Sequence, residues 1–322
     1  MERRIVHQIV QRDMSKDIAL GIAITSLLFA ISIYTPIIGA FCALFIPLPI
    51  IFYRSKLGRK TGILVPGLTI LVMVGMLGRI SIAILFFGEL LLLGFVLSEL
   101  IEIDLSIEKT MLYACGSVLF IGIICLLFYS NITDTKIYDF ISEYVEKNLK
   151  LTIAMYKDLG VSEERIYMIS NSLERIQYVL VRLIPAVVVS ATLFVVWTNL
   201  LLAKPILKNR GLFYPAFGAL NLWKAPESLV WCVIGCGLMI LLPNNALKLV
   251  GLNGLLILMT IYFFQGIAIV SFYVEKKQVP RVFRFLLYSL IALQQVVLLL
   301  VIGLGFFDIW LNVRKLEITK NN

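Results

Sequence analysis

Residues 110–129 read TMLYACGSVLFIGIICLLFY, a run of 20 residues without a charge. A helix needs about 20 apolar residues to cross the hydrocarbon core of a bilayer, which is about 30 Å thick. Eight other stretches are similarly apolar. The nine candidate spans are 18–33, 37–53, 62–78, 80–98, 110–129, 178–203, 228–243, 250–274 and 285–307. Most of the chain is therefore predicted to lie in lipid.

The composition excludes a water-soluble protein. Of 322 residues, 60% are hydrophobic and 15% are charged, and the mean hydropathy is +0.94. A soluble domain of this size cannot bury so much apolar surface. The sequence predicts an all-α polytopic transmembrane bundle with eight or nine spans. The count stays open because Tyr34-Thr35-Pro36 and Gly78-Arg79 each separate two spans that also fit one bent or re-entrant unit.

The positive charges predict an orientation. The net charge is +9, and cytoplasmic loops of membrane proteins carry the excess of Lys and Arg, so this charge indicates topology and no nucleic-acid partner. With a cytoplasmic N-terminus and nine spans, four basic clusters lie inside. The tail with Arg314, Lys315 and Lys320 then lies outside, which is the one misfit. Eight spans would bring the tail inside but would relocate other clusters. The four clusters are residues 3–16, 54–60, 204–224 and 276–284.

The first apolar run is too long for a typical signal peptide and has no convincing cleavage site, so we expect a retained first helix. The predicted location is the bacterial cytoplasmic (inner) membrane, in which the chain is a multi-pass protein.

A polar segment divides the chain into a bundle at 1–130, a helical hairpin at 131–177 and a second bundle at 178–322. Apolar residues of the hairpin recur at helical spacing. Its second half predicts one unbroken helix over 163–203, kinked at Pro185. The 3-4 steps of this helix define a predicted seam of Ile166, Ile169, Leu173, Ile176, Leu180, Leu183 and Val187. We expect Ile166, Ile169 and Leu173 to pack on Ile141, Tyr144 and Val145, in a hairpin that either projects from the membrane or lies on its surface.

The sequence offers little raw material for catalysis. It has one histidine, His7, and neither a phosphate-binding glycine loop nor a Gly-x-Ser-x-Gly motif. Cys232 and Cys236 share a helix face, but no His, Asp or Glu lies nearby to complete a metal site. We therefore predict no enzyme activity, no cofactor and no metal.

Glu89 is the strongest candidate for ligand binding, because a carboxylate inside a span costs about 3 kcal/mol unless it is protonated, paired or facing a polar cavity. Arg79 and Arg182 are the alternative structural partners. The amides of Asn199, Asn253 and Gln265 are weaker candidates, since most such groups are interhelical hydrogen-bond contacts. Pro47 and Pro49 are expected to break the second span.

Several segments in a fixed order carry a resemblance to a family. They are Pro-Leu-Pro-Ile at 47–50, Leu-Ile-Pro-Ala at 183–186, the loop from Asn221 to Trp231, Phe264-Gln-Gly at 264–266 and Gly-Phe-Phe-Asp-Ile-Trp at 305–310. Together they resemble the YybS-like bacterial membrane proteins, domain of unknown function 2232. The family has no established activity, so the resemblance implies the fold class and no chemistry.

The N-terminal half is distantly similar to the substrate-binding S components of energy-coupling-factor transporters. Their Ala-x-x-x-Ala face, which docks a coupling subunit, is matched by Ala19 and Ala23. The rod-shape morphogenesis membrane proteins, which act as scaffolds, look like similarly remote relatives. The resemblance implies a small-ligand-binding or transport-related subunit, or alternatively a scaffold of envelope, division or morphogenesis machinery. A scaffold would dock through Ile166, Ile169 and Leu173. Beyond the bilayer, the expected partners are a small molecule, a membrane protein or a second copy of the chain.

Overall fold

The computed structural model describes residues 2–78 and 82–314, without the side chains of residues 2–13, 36 and 37. The regular elements of this part of the chain are all helical, which confirms the all-α prediction. The chain divides into two compact units, residues 1–137 with 191–217 and residues 138–190 with 218–322. These units do not test the sequence-based domain division at 130 and 177, which stays a prediction.

Unit 1 contains the first seven helices. They are α1 (Glu2–Tyr34), α2 (Pro36–Ala43), α3 (Pro47–Leu57), α4 (Arg59–Gly62), α5 (Leu64–Leu77), α6 (Ile82–Glu102) and α7 (Ile107–Thr133). Its core is built from apolar side chains of α1, α3, α5 and α6, with Phe29 and Phe87 edge to face at 4.8 Å between ring centroids. This packing places α6, which carries Glu89, inside the bundle.

Unit 2 contains the hairpin and the helices near the C-terminal end. They are α8 (Ile137–Asp158), α9 (Glu163–Asn171), α10 (Leu173–Asn209, which continues into unit 1 after Ser190), α11 (Leu229–Leu241), α12 (Asn245–Lys276), α13 (Arg281–Leu293) and α14 (Gln295–Leu311). A short 3₁₀ turn, Leu220–Leu222, precedes α11. At the contact of α12 and α14, an added Cβ on Gly266 or Gly305 would overlap backbone of the other helix. Glycine therefore permits this close packing.

Seven helical segments in the described residues are long and apolar enough to cross a membrane, or eight if a bent pair counts as one span. This confirms a polytopic membrane protein, and the lower of the two predicted counts, eight, is reached only when the bent pair is one span. Nine is not reached, because 228–243 holds only the 13-residue α11 and 285–307 breaks at Gln294 between α13 and α14, with a bend of 99°. The seven segments are Met14–Tyr34, Ile38–Leu57, Arg59–Leu77, Ile82–Glu102, Ile107–Thr133, Leu173–Asn209 and Asn245–Lys276.

The second span is broken where the prolines predicted it. α2 ends at Ala43 and α3 begins at Pro47, with Leu44–Ile46 forming a turn between them. Proline lacks an N–H and is well suited to the first turn of a helix, so Pro47 restarts the helix after the break.

The prediction of one unbroken helix over 163–203 is wrong. The helix stops at Asn171 and restarts at Leu173, because Ser172 has φ −98° and ψ 1°, outside the helical range. It then continues past 203 to Asn209. The predicted seam also ends early. Leu180 and Val187 are 40% and 49% exposed, while Val181 and Ala186 are buried instead.

The hairpin itself is present. Gln177 on α10 donates through Nε2 to the carbonyl oxygen and the hydroxyl of Ser142 on α8, at 3.2 and 2.9 Å. Val145 and Ile166 are its buried apolar residues. Tyr144 is 61% exposed, so the prediction that it packs in the seam is wrong.

The buried side chain of Tyr214 holds the loop that follows α10 against that helix, within unit 1. The hydroxyl of Tyr214 donates to the carbonyl oxygen of Leu200 at 2.8 Å, and burial raises the pKa of this hydroxyl. The tyrosine therefore stays neutral at ordinary pH and continues to donate.

Candidate functional site

Glu89 lies in the first half of α6 and faces α7. A Cβ added to Gly122 of α7 would overlap the Glu89 carboxylate, so the two helices approach closely here and the carboxylate fills the space that a side chain would take. Glu89 is half-buried and makes no hydrogen bond or ion pair with any described residue. Of its two predicted partners, Arg79 lies outside the described residues.

The other predicted partner, Arg182, is engaged locally in unit 2. Its guanidinium stacks on the Tyr178 ring at 3.5 Å from the centroid and donates to the Tyr178 carbonyl oxygen at 3.1 Å. Stacking on an aromatic face is a typical arginine contact and does not call for a carboxylate. The described structure thus shows a membrane-embedded acid with free acceptor capacity.

An apolar groove of about 570 Å³ runs between α6 and α7. Most of its wall is aliphatic or aromatic, and the hydroxyl of Ser117 is already bonded to the carbonyl oxygen of Tyr113 at 2.6 Å. Glu89 does not line the groove. It is seven residues from the lining residue Val96, on the same side of α6, and about 9 Å along the helix from Phe95. The lining residues are Phe95, Val96, Glu99, Leu100, Leu112, Tyr113, Gly116 and Ser117.

A charged cluster joins α3 to the end of α6. The guanidinium of Arg54, 1% exposed, forms ion pairs with Glu99 and Glu102 and donates to the Ser98 carbonyl oxygen at 3.3 Å. Arg59 reaches the other oxygen of Glu99 at 3.3 Å. The sequence suggested only a basic loop here. It missed the pairing because the partners lie 40 residues or more away along the chain.

Asn199, one of the predicted ligand contacts, binds the broken second span. Its Nδ2 donates to the carbonyl oxygen of Leu44 at 2.9 Å and to that of Val195 at 2.8 Å. In a regular helix, the carbonyl oxygen of Leu44 would accept a hydrogen bond from the N–H of Leu48. Here that N–H donates to the carbonyl oxygen of Phe45 instead. The amide of Asn199 therefore satisfies a carbonyl that the break leaves free. Its Oδ1 is buried and has no partner in the described structure.

Asn253, on α12, has the same role at a second proline. Its Oδ1 accepts from the N–H of Ala186 at 3.2 Å and its Nδ2 donates to the carbonyl oxygen of Arg182 at 3.0 Å. Pro185 has no N–H for the carbonyl oxygen of Val181, and its ring crowds that carbonyl, so the helix is disturbed at this turn. Asn253 thus contacts the backbone of α10 at the turn where the sequence predicted a kink.

Gln265, the third amide, belongs to a buried network. Its Oε1 accepts from the N–H of Ala225 at 3.1 Å and its Nε2 donates to Asp308 at 3.2 Å. Asp308 pairs with Arg314 at 3.0 Å, and both side chains are completely buried. Arg314 also donates to the carbonyl oxygens of Asn221 and Trp223. The network joins the loop before α11 to α12 and to the end of α14.

Some of the predicted docking residues are exposed and others are buried. Ala19 and Ala23 are exposed on α1, next to exposed Leu20 and Ile24, while Gly21 and Thr25 face the bundle. In the hairpin, Ile166 is buried, and Ile169 and Leu173 are half-buried. Among the described residues, no group of three or more His, Cys, Asp or Glu side chains has the geometry of a metal site.

Comparison with known proteins gives a family. The model described as "Predicted membrane protein (DUF2232)" matches residues 23–309. The chain belongs to the DUF2232 family. It is also 24% identical over 304 residues to the uncharacterized protein YybS of Bacillus subtilis (strain 168), covering 92% of this chain and 96% of that protein.

The DUF2232 match contains Glu89, the three amides and Asp308, whereas Ala19 precedes it and Arg314 follows it. The family description states membrane location and no activity. No solved structure matches this chain. The similarity to S components therefore rests on the sequence pattern alone and stays a prediction.

Proposed function

We propose that this DUF2232 protein is a non-enzymatic, transport-related membrane subunit that binds a small amphiphilic molecule between α6 and α7. The observation that carries the proposal is Glu89, an acid inside a span, beside a glycine and without a partner in the described residues. Such a residue is costly in lipid and commonly marks a ligand or ion pathway. We place the protein in the bacterial cytoplasmic membrane with its N-terminus inside.

The groove gives the class of ligand. Its apolar wall fits a hydrocarbon or aromatic portion, and Glu89, about 9 Å farther along α6, offers acceptors for a polar group with N–H or O–H donors. A molecule with one polar end and an apolar body meets both parts. The amides of Asn199, Asn253 and Gln265 already bind protein groups, so the proposal assigns the polar contact to Glu89.

The test is native mass spectrometry of the purified full chain, in wild-type form and as Glu89→Gln. The amide keeps the shape of the carboxylate and removes its charge. The matched control is Glu143→Gln, on the exposed surface of α8. We expect a small-molecule adduct on the wild type and on Glu143→Gln, and a loss of at least tenfold in its occupancy on Glu89→Gln. An equal adduct on all three proteins contradicts the role of Glu89.

A scaffold is the second candidate, and the hairpin is the observation that favours it. Several large apolar side chains of α8, α9 and their connection are exposed, and they include Tyr144 at 61%, Met155 at 63%, Leu159 at 74%, Tyr167 at 68% and Met168 at 66%. Such a surface is usually covered by a partner or by lipid. A photo-crosslinking residue in place of Tyr167 tests whether protein or lipid contacts this surface. A scaffold is expected to give a crosslink to a partner protein, and a hairpin that lies on the membrane is expected to give a crosslink to lipid.

A further inference from the structure

We infer that α13 and α14 enter and leave the membrane on the same side, next to the C-terminal end of α12, and form a re-entrant pair. The residues that close α14 therefore lie on the same side as Lys276. This inference concerns unit 2 and is independent of the proposed ligand site.

The break at Gln294 is the first step. This residue has an extended backbone, with φ −101° and ψ 111°, and the two helices bend by 99° around it. α13 has 13 residues and α14 has 17, hence lengths of about 20 and 26 Å at 1.5 Å per residue. Each is shorter than the roughly 30 Å of a bilayer core, and the bend prevents them from acting as one straight span.

The start of the pair is fixed by a short connection. α12 ends at Lys276 and α13 begins at Arg281. The four residues between them give five Cα-to-Cα steps, which reach about 17 Å at most in an extended chain. The N–H of Lys277 bonds back to Tyr273 and that of Val279 to Val274, so the connection is folded and its reach is shorter. The pair thus begins beside the C-terminal end of α12.

The end of the pair returns to the same place. The hydroxyl of Tyr273, near the end of α12, donates to the carbonyl oxygen of Val313 at 2.6 Å. Arg314 donates to the carbonyl oxygen of Asn221 at 2.9 Å, and Asn221 in turn donates to Glu275 at 2.6 Å. A pair that crossed the membrane would end near Asn245, at the other end of the 32-residue α12.

The same contacts define the path of α11. The loop before it binds Glu275 and Gln265, in the C-terminal half of α12, while only three residues join the end of α11 to the start of α12. A Cβ on Gly251 would meet Cys236, Met239 and Ile240, which confirms that the two helices run antiparallel. Between Ala225 and Asn245, α11 and the turns at its two ends run beside the residues from Gln265 back to Asn245 of α12, a length of about 30 Å. This segment therefore crosses in the direction opposite to α12, although the helix itself has only 13 residues, and it adds an eighth crossing to the seven long segments.

This path removes the charge misfit of the nine-span model. Eight crossings followed by a re-entrant pair put Arg314 on the side of Lys276, Lys277, Arg281 and Arg284, and no other basic cluster changes side. The arrangement then follows the positive-inside rule. The interrupted backbone at Gln294 must meet protein or water, which is the known requirement for re-entrant segments.

Cysteine accessibility tests the inference in the full chain. The five native cysteines are replaced by serine, and single cysteines are introduced as Lys277→Cys, Asn312→Cys and Asn245→Cys. A membrane-impermeant maleimide is applied to intact spheroplasts and to inverted vesicles. We expect positions 277 and 312 to be labelled from the same side, and position 245 from the opposite side.

Labelling of positions 277 and 312 from opposite sides would overturn the re-entrant pair. If the cysteine-free chain does not accumulate, a C-terminal fusion of the unaltered chain replaces it. We expect the fusion to green fluorescent protein to be fluorescent and the fusion to alkaline phosphatase to be inactive. Both results follow if the C-terminal end lies on the side of Lys276, which its positive charge places in the cytoplasm. An active phosphatase and a dark fluorescent fusion would overturn the inference equally.

Discussion

The side-chain amide of Asn199 donates to the carbonyl oxygen of Leu44, 155 residues away along the chain, at the break that precedes Pro47. Asn253 makes the corresponding contact with Arg182 and Ala186 beside Pro185. In lipid no water is present to satisfy a freed backbone group, so a side chain from another helix must do so. Each compact unit thus contains a proline-disturbed helix whose backbone is completed by an asparagine.

Asn253→Leu should lower the stability of the protein by about 1–3 kcal/mol. The change keeps the branching and the number of heavy atoms of the side chain but leaves the Ala186 N–H and the Arg182 carbonyl without this partner. The measurement is the thermal unfolding midpoint in detergent. Asn148→Leu, at an exposed site on α8 whose amide bonds only to its own helix, serves as the matched control and should change the midpoint little.

The same contact predicts a coupling with proline. Pro185→Ala removes the crowding of the Val181 carbonyl and lets this turn of α10 become regular, so we expect the Ala186 N–H and the Arg182 carbonyl to need Asn253 less. The double variant Pro185→Ala/Asn253→Leu should therefore be more stable than the sum of the two single effects. Strict additivity would show that Asn253 does not act through the helix ladder.

Removing the acidic partners of Arg54 should destabilise the protein more than removing Arg54 itself. Arg54→Met leaves Glu99 and Glu102, which are 22% and 49% exposed and retain access to water. We expect a loss of roughly 2 kcal/mol. Glu99→Gln/Glu102→Gln instead strands a guanidinium that is 1% exposed and always charged, at roughly 3–5 kcal/mol.

Denaturant titration in detergent ranks the three proteins, and Arg59→Met, at a side chain that is 76% exposed, is the control with the smallest expected effect. The reverse order of the Arg54 and Glu99/Glu102 variants would mean that water reaches the guanidinium.

Gly122→Ala should destabilise the contact of α6 and α7, because the new methyl group would overlap the Glu89 carboxylate. We expect a loss of about 1–3 kcal/mol. Gly116→Ala on the same helix meets no atom within 4 Å and should be neutral or stabilising by up to about 1 kcal/mol. Adding Glu89→Ala should rescue Gly122→Ala, and failure of this rescue in thermal unfolding would argue that the overlap involves another group.

Ile166→Asp should open the hairpin, since it places a charge at a position that is 7% exposed. Tyr167→Asp, one residue later at 68% exposure, is the control. Limited proteolysis of the full chain in detergent should cleave the 137–172 region faster only in the first variant. Equal protection of both variants would show that Ile166 is not held by packing.

The pattern of apolar runs was enough to predict the fold class, because a helix that crosses lipid needs a long apolar stretch, and such a stretch is visible in the sequence. Pro47 also marked a real break. The break at Gln294 gave no such signal. Neither proline nor glycine stands at that position, and the close packing of α14 on α12 that accompanies the bend joins residues far apart in the sequence.

The candidate site was predicted less completely. Glu89 stood out because a charge inside an apolar run is visible in the sequence alone. The groove beside it and the cluster around Arg54 were not, since they depend on which helices become neighbours. The seam failed beyond Ile176 because Asn253 fixes α10 at residues 182 and 186, and this contact, not the heptad spacing, decides which face turns inward.

The contact between Asn199 and Leu44 also bears on the order of membrane insertion. The second span emerges from the ribosome before the sixth has been made, and at roughly 5–20 residues per second the intervening 155 residues take on the order of 10–30 s. During that interval the Leu44 carbonyl oxygen lacks the hydrogen bond that Asn199 later donates. The early spans therefore stay in an unfinished form in the membrane, and the nascent bundle is completed only when a distant part of the chain arrives.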